Sequence, residues 1–154
     1  MKPFDVHILN WYDKNKLLLP WRNSKDPYKI WVSEIMLQQT QVQTVIPFYN
    51  KWIKSFPTLK SVAHASDQKI FKHWEGLGYY ARVRNFHYAC KLVLNKYSGK
   101  VPNNYHVLLT LPGVGPYISG AIMSIAFNYC VAAVDSNAFR VVSRLCAIDP
   151  FKPK

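Results

Sequence analysis

Three places along the chain carry residue types and spacings that could do chemistry. The first is LTLPGVGPYISGAI, Leu109 to Ile122, where Gly113 and Gly115 permit backbone angles that other residues avoid and Pro116 suits the first turn of a helix. Amides near Gly113, Val114 and Gly115 would then point outward at a helix N-terminus, where unpaired N–H groups and the helix dipole favour an anion such as a DNA phosphate. The competing reading is a tight turn between two helices and nothing more. The second is Glu34, whose helical neighbours Ile30, Trp31, Leu37 and Gln38 are mostly apolar. Apolar surroundings disfavour a charged carboxylate and raise its pKa, as a general acid at neutral pH requires. A glutamate at the edge of an apolar stripe, or one used as a structural cap, would show the same spacing. The third is Asp135, the only acid between Glu75 and Asp149. It reads equally as the N-cap of the helix that follows or as the ionised partner of a carboxylate pair, one protonated and one charged.

These residues need a scaffold, and the pattern predicts helices. Alternating strand patterns are nearly absent, whereas helical spacing predicts segments near 4–16, 26–45, 48–55, 58–64, 67–75, 80–97, 104–110, 116–127 and 136–147. Asp26-Pro27 supplies an N-cap and a first-turn proline, and Pro47 is expected to end that helix near Val45. From Val101 to Val134 there is no Asp, Glu, Lys or Arg, but Pro112, Gly113, Gly115 and Pro116 interrupt the stretch and argue against a membrane span.

Composition narrows the partners. Across 154 residues, 20 Lys and Arg face 8 Asp and Glu, a net charge of +12 that points to a polyanion, nucleic acid before a membrane surface. With hydrophobic residues at 49%, a packed core is expected and wholesale disorder is excluded. Residues 51–100 hold ten Lys and Arg against Asp67 and Glu75. Most of those cations suit a solvated face, but Arg82 and Arg84 follow the glycine–tyrosine turn GLGYY and suit phosphate contact beside stacked bases. Cys90, Cys130 and Cys146 are scattered and make neither a disulfide framework nor a metal cluster, which fits a reducing cytosol.

The segments LPWR (19–22), PYKIWVSEIMLQQTQVQTVIPFY (27–49), GLGYYARVRN (76–85), LPGVGPYISGAI and VDSNAFRVVSRL (134–145) resemble, in order, the MutY-type adenine DNA glycosylases of the helix-hairpin-helix superfamily. The resemblance implies an all-α helical barrel divided into an N-terminal helix (1–20), a six-helix barrel (21–134) with the hairpin at 104–127, and a tail carrying the catalytic Asp (135–154). By this likeness Glu34 matches the acid that protonates adenine at N7, Asp135 the carboxylate that stabilises the cationic sugar, and Asn137 its supporting amide. Tyr117 falls where related glycosylase/lyases place a Schiff-base lysine, so hydrolysis rather than lyase chemistry is expected. Gln38, Gln39, Thr40, Leu77, Tyr79 and Arg82 match positions at the duplex, and Trp21 and Arg22 the adenine pocket. The carbonyls of Leu109, Leu111 and Val114 match an alkali-ion site.

Ser136 stands where the family usually has glycine. The chain also stops at Lys154, ahead of the family's four-cysteine iron–sulfur module and Nudix-like domain. No iron–sulfur ligands and no cofactor are therefore expected within these residues, the [4Fe-4S] cluster belonging to a full-length protein. The expected function is removal of adenine mispaired with 8-oxoguanine or guanine in double-stranded DNA, by a cytoplasmic, nucleoid-associated enzyme if bacterial. The alternatives are an endonuclease III-like pyrimidine glycosylase and a catalytically silent DNA-binding remnant. The N-terminal helix would lack its usual cover, so self-association is expected.

Overall fold

A computed structural model describes residues 4–148; residues 1–3 and 149–154, at the ends of the first and last expected segments, lie outside the described residues. Among the described residues nine α-helices follow one another: α1 Phe4–Asn15, α2 Pro27–Leu37, α3 Val42–Ser55, α4 Leu59–Ala63, α5 Asp67–Trp74, α6 Ala81–Tyr97, α7 Tyr105–Leu109, α8 Pro116–Ile125 and α9 Ser136–Leu145. A 3-10 turn, Pro20–Asn23, precedes α2, and there is no strand among the described residues.

Helix α2 is the axis of the fold. Its start is set locally: the Asp26 side chain accepts the Tyr28 amide at 2.9 Å, and Pro27 occupies the first turn. From Ile30 to Met36 every residue is buried, because α3, α6 and α8 all pack against it. The Tyr28 hydroxyl donates to the Phe56 carbonyl at 2.6 Å and accepts from the Trp52 indole at 3.2 Å, which satisfies both polar groups inside the core. Around them Trp31, Trp52, Trp74, Phe56 and Phe86 interlock, with Trp31 edge-on to Phe86 at 4.9 Å and Trp52 edge-on to Trp74 at 5.8 Å.

One expected helix is two. The segment expected to run from 26 to 45 breaks after Leu37, turns through Gln38–Gln41 with Gln39 at φ 56°, and restarts at Val42. The restarted helix passes straight through Pro47, so the separate helix expected at 48–55 is its continuation. An interior proline costs about 3 kcal/mol. Val45, Tyr49 and Trp52 repeat at helical spacing and are fully or almost fully buried, each contributing about 1.5–3 kcal/mol, so packing outweighs the proline.

The uncharged stretch folds as α7, the Pro112–Gly115 turn and α8. None of the described helices is long and apolar enough to cross a membrane.

Candidate active site

A cavity of about 890 Å³ opens between the end of α2, the loop before α6, the start of α8 and the start of α9. That size falls in the range of small-ligand sites, ~300–1,000 Å³. Glu34, Tyr117, Asp135 and Asn137 line it together with Gln38–Gln41 and Tyr79–Arg82. Residues separated by about a hundred positions are thus brought to one place.

Glu34 is only 8% exposed, and its Oε2 is buried with no hydrogen-bond partner. Burial raises its pKa above the usual carboxylate range, while the Tyr117 hydroxyl and the Arg22 charge pull it partly back. Tyr117 in turn is held protonated, first by burial and then by the negative charge of Glu34 and Asp135. Asp135 lives in the opposite environment. It is exposed, its Oδ1 accepts the Ala138 amide at 2.7 Å, and its Oδ2 accepts the Asn137 side-chain amide at 3.4 Å. Arg140 donates to Asn137 Oδ1 at 3.3 Å, extending the chain of contacts. The two readings of Asp135 therefore coexist: it caps α9 and its cap faces the cavity. Buried and exposed carboxylates on one cavity form a pair suited to acid and electrostatic roles at the same pH.

Two residues expected at the adenine pocket, Trp21 and Arg22, and two expected at the duplex, Leu77 and Arg82, are placed differently. Trp21 is 6% exposed and packs edge-on against Tyr49 at 5.2 Å, in the core rather than on the cavity. Arg22 is exposed outside the cavity, donating to the Tyr12 hydroxyl at 2.7 Å, and reaches Glu34 only through its charge. Leu77 is a core residue behind the rim, 5% exposed. Arg82 is half-buried; its Nη1 and Nη2 donors are taken by protein acceptors while Nε is buried without a partner, so the terminal nitrogens make internal contacts where a phosphate contact was expected. Gln38, Gln39, Thr40 and Tyr79 do line the rim, and Tyr79 is 65% exposed.

The hairpin's turn, Pro112–Gly115, lies beside the cavity, while Tyr117 just after it lines the cavity. Gly113 takes φ 75°, and a side chain there would meet Asn85 Cβ at 2.9 Å. Val114 is buried and its amide is spent on the Leu111 carbonyl at 3.1 Å, so it is unavailable to an anion. Gly113 and Gly115 donate no backbone hydrogen bond, and the space over Gly115 is open. The turn thus leaves two of the three amides without a backbone partner. The carbonyl of Leu109 accepts no backbone bond from the turn, and that of Leu111 has only the Val114 amide, a donor set of hard oxygens that fits an alkali cation. An iron–sulfur cluster does not fit: Cys90 is buried while Cys130 and Cys146 are exposed, and no three metal-ligating side chains converge among the described residues.

Gly120 has a role that its place in the segment Leu109–Ile122 does not reveal. It sits inside α8, and an added Cβ would collide with the Ala132 carbonyl oxygen and come within 3.2 Å of Ala133 Cα. Only a glycine lets the extended segment leading to Asp135 lie against α8. The available signal was an isolated glycine within a helical pattern.

The family model for HhH-GPD superfamily base excision DNA repair proteins matches residues 32–154. An adenine DNA glycosylase of Buchnera aphidicola subsp. Baizongia pistaciae is 46% identical over 143 residues, covering 92% of this chain and 41% of the relative. The Homo sapiens adenine DNA glycosylase is 43% identical, covering 94% of this chain and 28% of that protein. The chain thus spans less than half the length of these curated relatives. Among solved structures, a thermostable thymine-DNA glycosylase superposes with a TM-score of 0.86 at 32% identity, over 91% of this chain and 65% of that one. An endonuclease III–DNA covalent intermediate shares the fold with a TM-score of 0.83 at 21% identity, over 96% of this chain and 68% of that one. With the hairpin, the paired carboxylates and these matches together, the chain belongs to the HhH-GPD superfamily of base excision DNA repair proteins.

Proposed function

We propose that this chain carries the catalytic centre of an adenine DNA glycosylase acting on double-stranded DNA, with adenine opposite 8-oxoguanine or guanine as the target. The observation that carries the reading is the buried, unpartnered Glu34 Oε2 on a cavity whose other wall holds the exposed Asp135. The adenine DNA glycosylase relatives support the substrate class.

The target base must leave the stack to reach such a cavity. Glu34, whose hold on its proton is strengthened by burial, donates that proton to N7 of the extruded adenine. The C1′–N9 bond breaks with its electron pair leaving on adenine, and Asp135 stabilises the cationic sugar. Water then adds at C1′ and its proton returns to the Glu34 carboxylate. Tyr117 carries a hydroxyl rather than an amine, so no Schiff base forms and the strand is not nicked. The Gly113 and Gly115 amides and the basic surface hold the backbone without reading sequence, and the Leu109, Leu111 and Val114 carbonyls would hold an alkali ion that adds positive charge there. Work on chromosomal DNA would place the protein in the bacterial cytoplasm or its equivalent.

A single-turnover assay on a duplex with one adenine opposite 8-oxoguanine tests this. Release of adenine without strand cleavage is the expected result. Excision of a damaged pyrimidine with nicking would replace the reading by the endonuclease III-like one, and binding without release would make the chain a silent DNA-binding unit.

A further inference from the structure

We propose that Arg82 is a positioning residue that fastens the 38–41 turn to the 76–80 loop, so that Gln39 and Tyr79 meet the duplex as one rigid unit; this rests on the cavity being a DNA-facing site. The guanidinium sits where the two segments meet. Its Nη1 shares two N–H groups among the carbonyls of Ile35 at 2.9 Å, Met36 at 3.1 Å and Gln38, which lie at the end of α2. Its Nη2 donates to the carbonyls of Leu77 at 3.1 Å and Gly78 at 3.3 Å. Both nitrogens reach the Thr40 hydroxyl, at 3.4 and 3.3 Å.

Two aromatic rings complete the clamp. The guanidinium carbon lies 5.3 Å from the ring centre of buried Trp74 and 5.3 Å from that of exposed Tyr79. Trp74 itself donates to the Gly78 carbonyl at 2.9 Å, tying the loop a second time.

Each fastened segment holds a strained residue at its tip. Gln39 has φ 56° and Tyr79 has φ 48°, left-handed angles that favour glycine, and both residues line the cavity. Such conformations persist only where surrounding contacts impose them, and Arg82 supplies the contacts to both. A planar fork with fixed donors can bridge two stretches of backbone in this way, whereas a lysine offers one flexible point charge. An arginine used to hold phosphate would keep its terminal Nη donors free, whereas in Arg82 only the buried Nε lacks a partner.

The test compares the 154-residue chain with Arg82→Lys and Arg82→Met, using two measurements. In backbone amide exchange, both variants should exchange roughly tenfold faster or more at 38–41 and at 76–80, with the interiors of α3, α6 and α8 unchanged. In duplex binding across a salt series, the preference for an adenine–8-oxoguanine duplex over a matched one should fall roughly tenfold in both variants, and the salt slope should stay as in the parent. Retention of parental behaviour in Arg82→Lys, with a slope lower by about one in Arg82→Met, would make Arg82 a phosphate contact and overturn the proposal. Loosening of one segment alone, or of all helices equally, would overturn it too. If the parent shows no preference for the mispair, the reading of the cavity fails, and the exchange measurement still decides whether Arg82 couples the two segments.

Discussion

At the scale of single residues, the carboxylate pair makes separable predictions. Glu34 has its pKa raised by burial, so the donor form persists to higher pH than for an ordinary glutamate, and excision should fall as pH rises through that raised value. Glu34→Gln should lower excision by about 10²–10⁴-fold while duplex binding is retained. The same shift has a stability sign. Below the unfolded-state pKa both states hold the proton and there is no difference. As pH climbs from there to the raised folded value, the unfolded chain releases its proton first, so folding loses free energy. Glu34→Gln should therefore melt higher than the parent at neutral pH and equally at low pH, which a pair of thermal scans reads directly. Asp135→Asn keeps the cap, because asparagine caps as well as aspartate, yet removes the charge, so excision should drop with α9 intact. Asp135→Ala should lose about 0.5–2 kcal/mol of stability in addition. Glu34 was legible in the sequence because its helical neighbours are apolar and helix spacing is reliable. Trp21 and Leu77 were not, since a residue next to a functional one in sequence can point the other way, and these two point into the core.

At the scale of elements, local signals fixed the starts and long-range contacts fixed the breaks. Asp26, Ser66, Asn104 and Asp135 each accept the amide that begins their helix, and such caps are visible in a few residues of sequence. The break after Leu37 has no such mark, because the carbonyls exposed there are satisfied by Arg82, which arrives from the far end of another loop. Pro47 misled for the reverse reason: its local preference is overridden by buried neighbours. The glycines of the hairpin and α8 can now be told apart. Gly113→Ala must adopt a left-handed angle and push against Asn85, and should cost about 1–2 kcal/mol of stability. Gly115→Ala meets open space and ordinary angles, so stability should change by less than about 0.5 kcal/mol, while on the proposed phosphate contact duplex affinity should fall because the added methyl occupies the open side of the amide. Gly120→Ala should behave in a third way. It displaces the segment at Ala132 and Ala133, moves Asp135, and lowers excision more than binding. Thermal melting, salt-dependent binding and single-turnover excision on the three variants separate these outcomes.

At the scale of the whole molecule, the proposed duplex binding by a chain of net charge +12 and by the hairpin amides would run on counterion release, so affinity should weaken steeply from low to physiological salt. The second whole-molecule property concerns the two ends of the fold. Helix α1 buries none of its residues, leaving Phe4, Ile8, Leu9 and Trp11 exposed, and Leu18 beyond it is 91% exposed. Helix α9 buries only Ser143 and leaves Phe139, Val141, Val142 and Leu145 in solvent. Each large apolar side chain left uncovered forgoes about 1.5–3 kcal/mol, and folded domains have only about 5–15 kcal/mol in hand. Apolar faces of this extent favour association. The 154-residue chain should therefore be marginally stable and self-associate with rising concentration. Val141→Lys combined with Leu145→Lys should reduce that association without lowering the melting temperature, because neither side chain is packed in the core. Light scattering recorded alongside thermal unfolding provides the check. A parent chain that stays monomeric and melts sharply above ~60 °C, at the upper end for ordinary domains, would show that these faces cost the fold little.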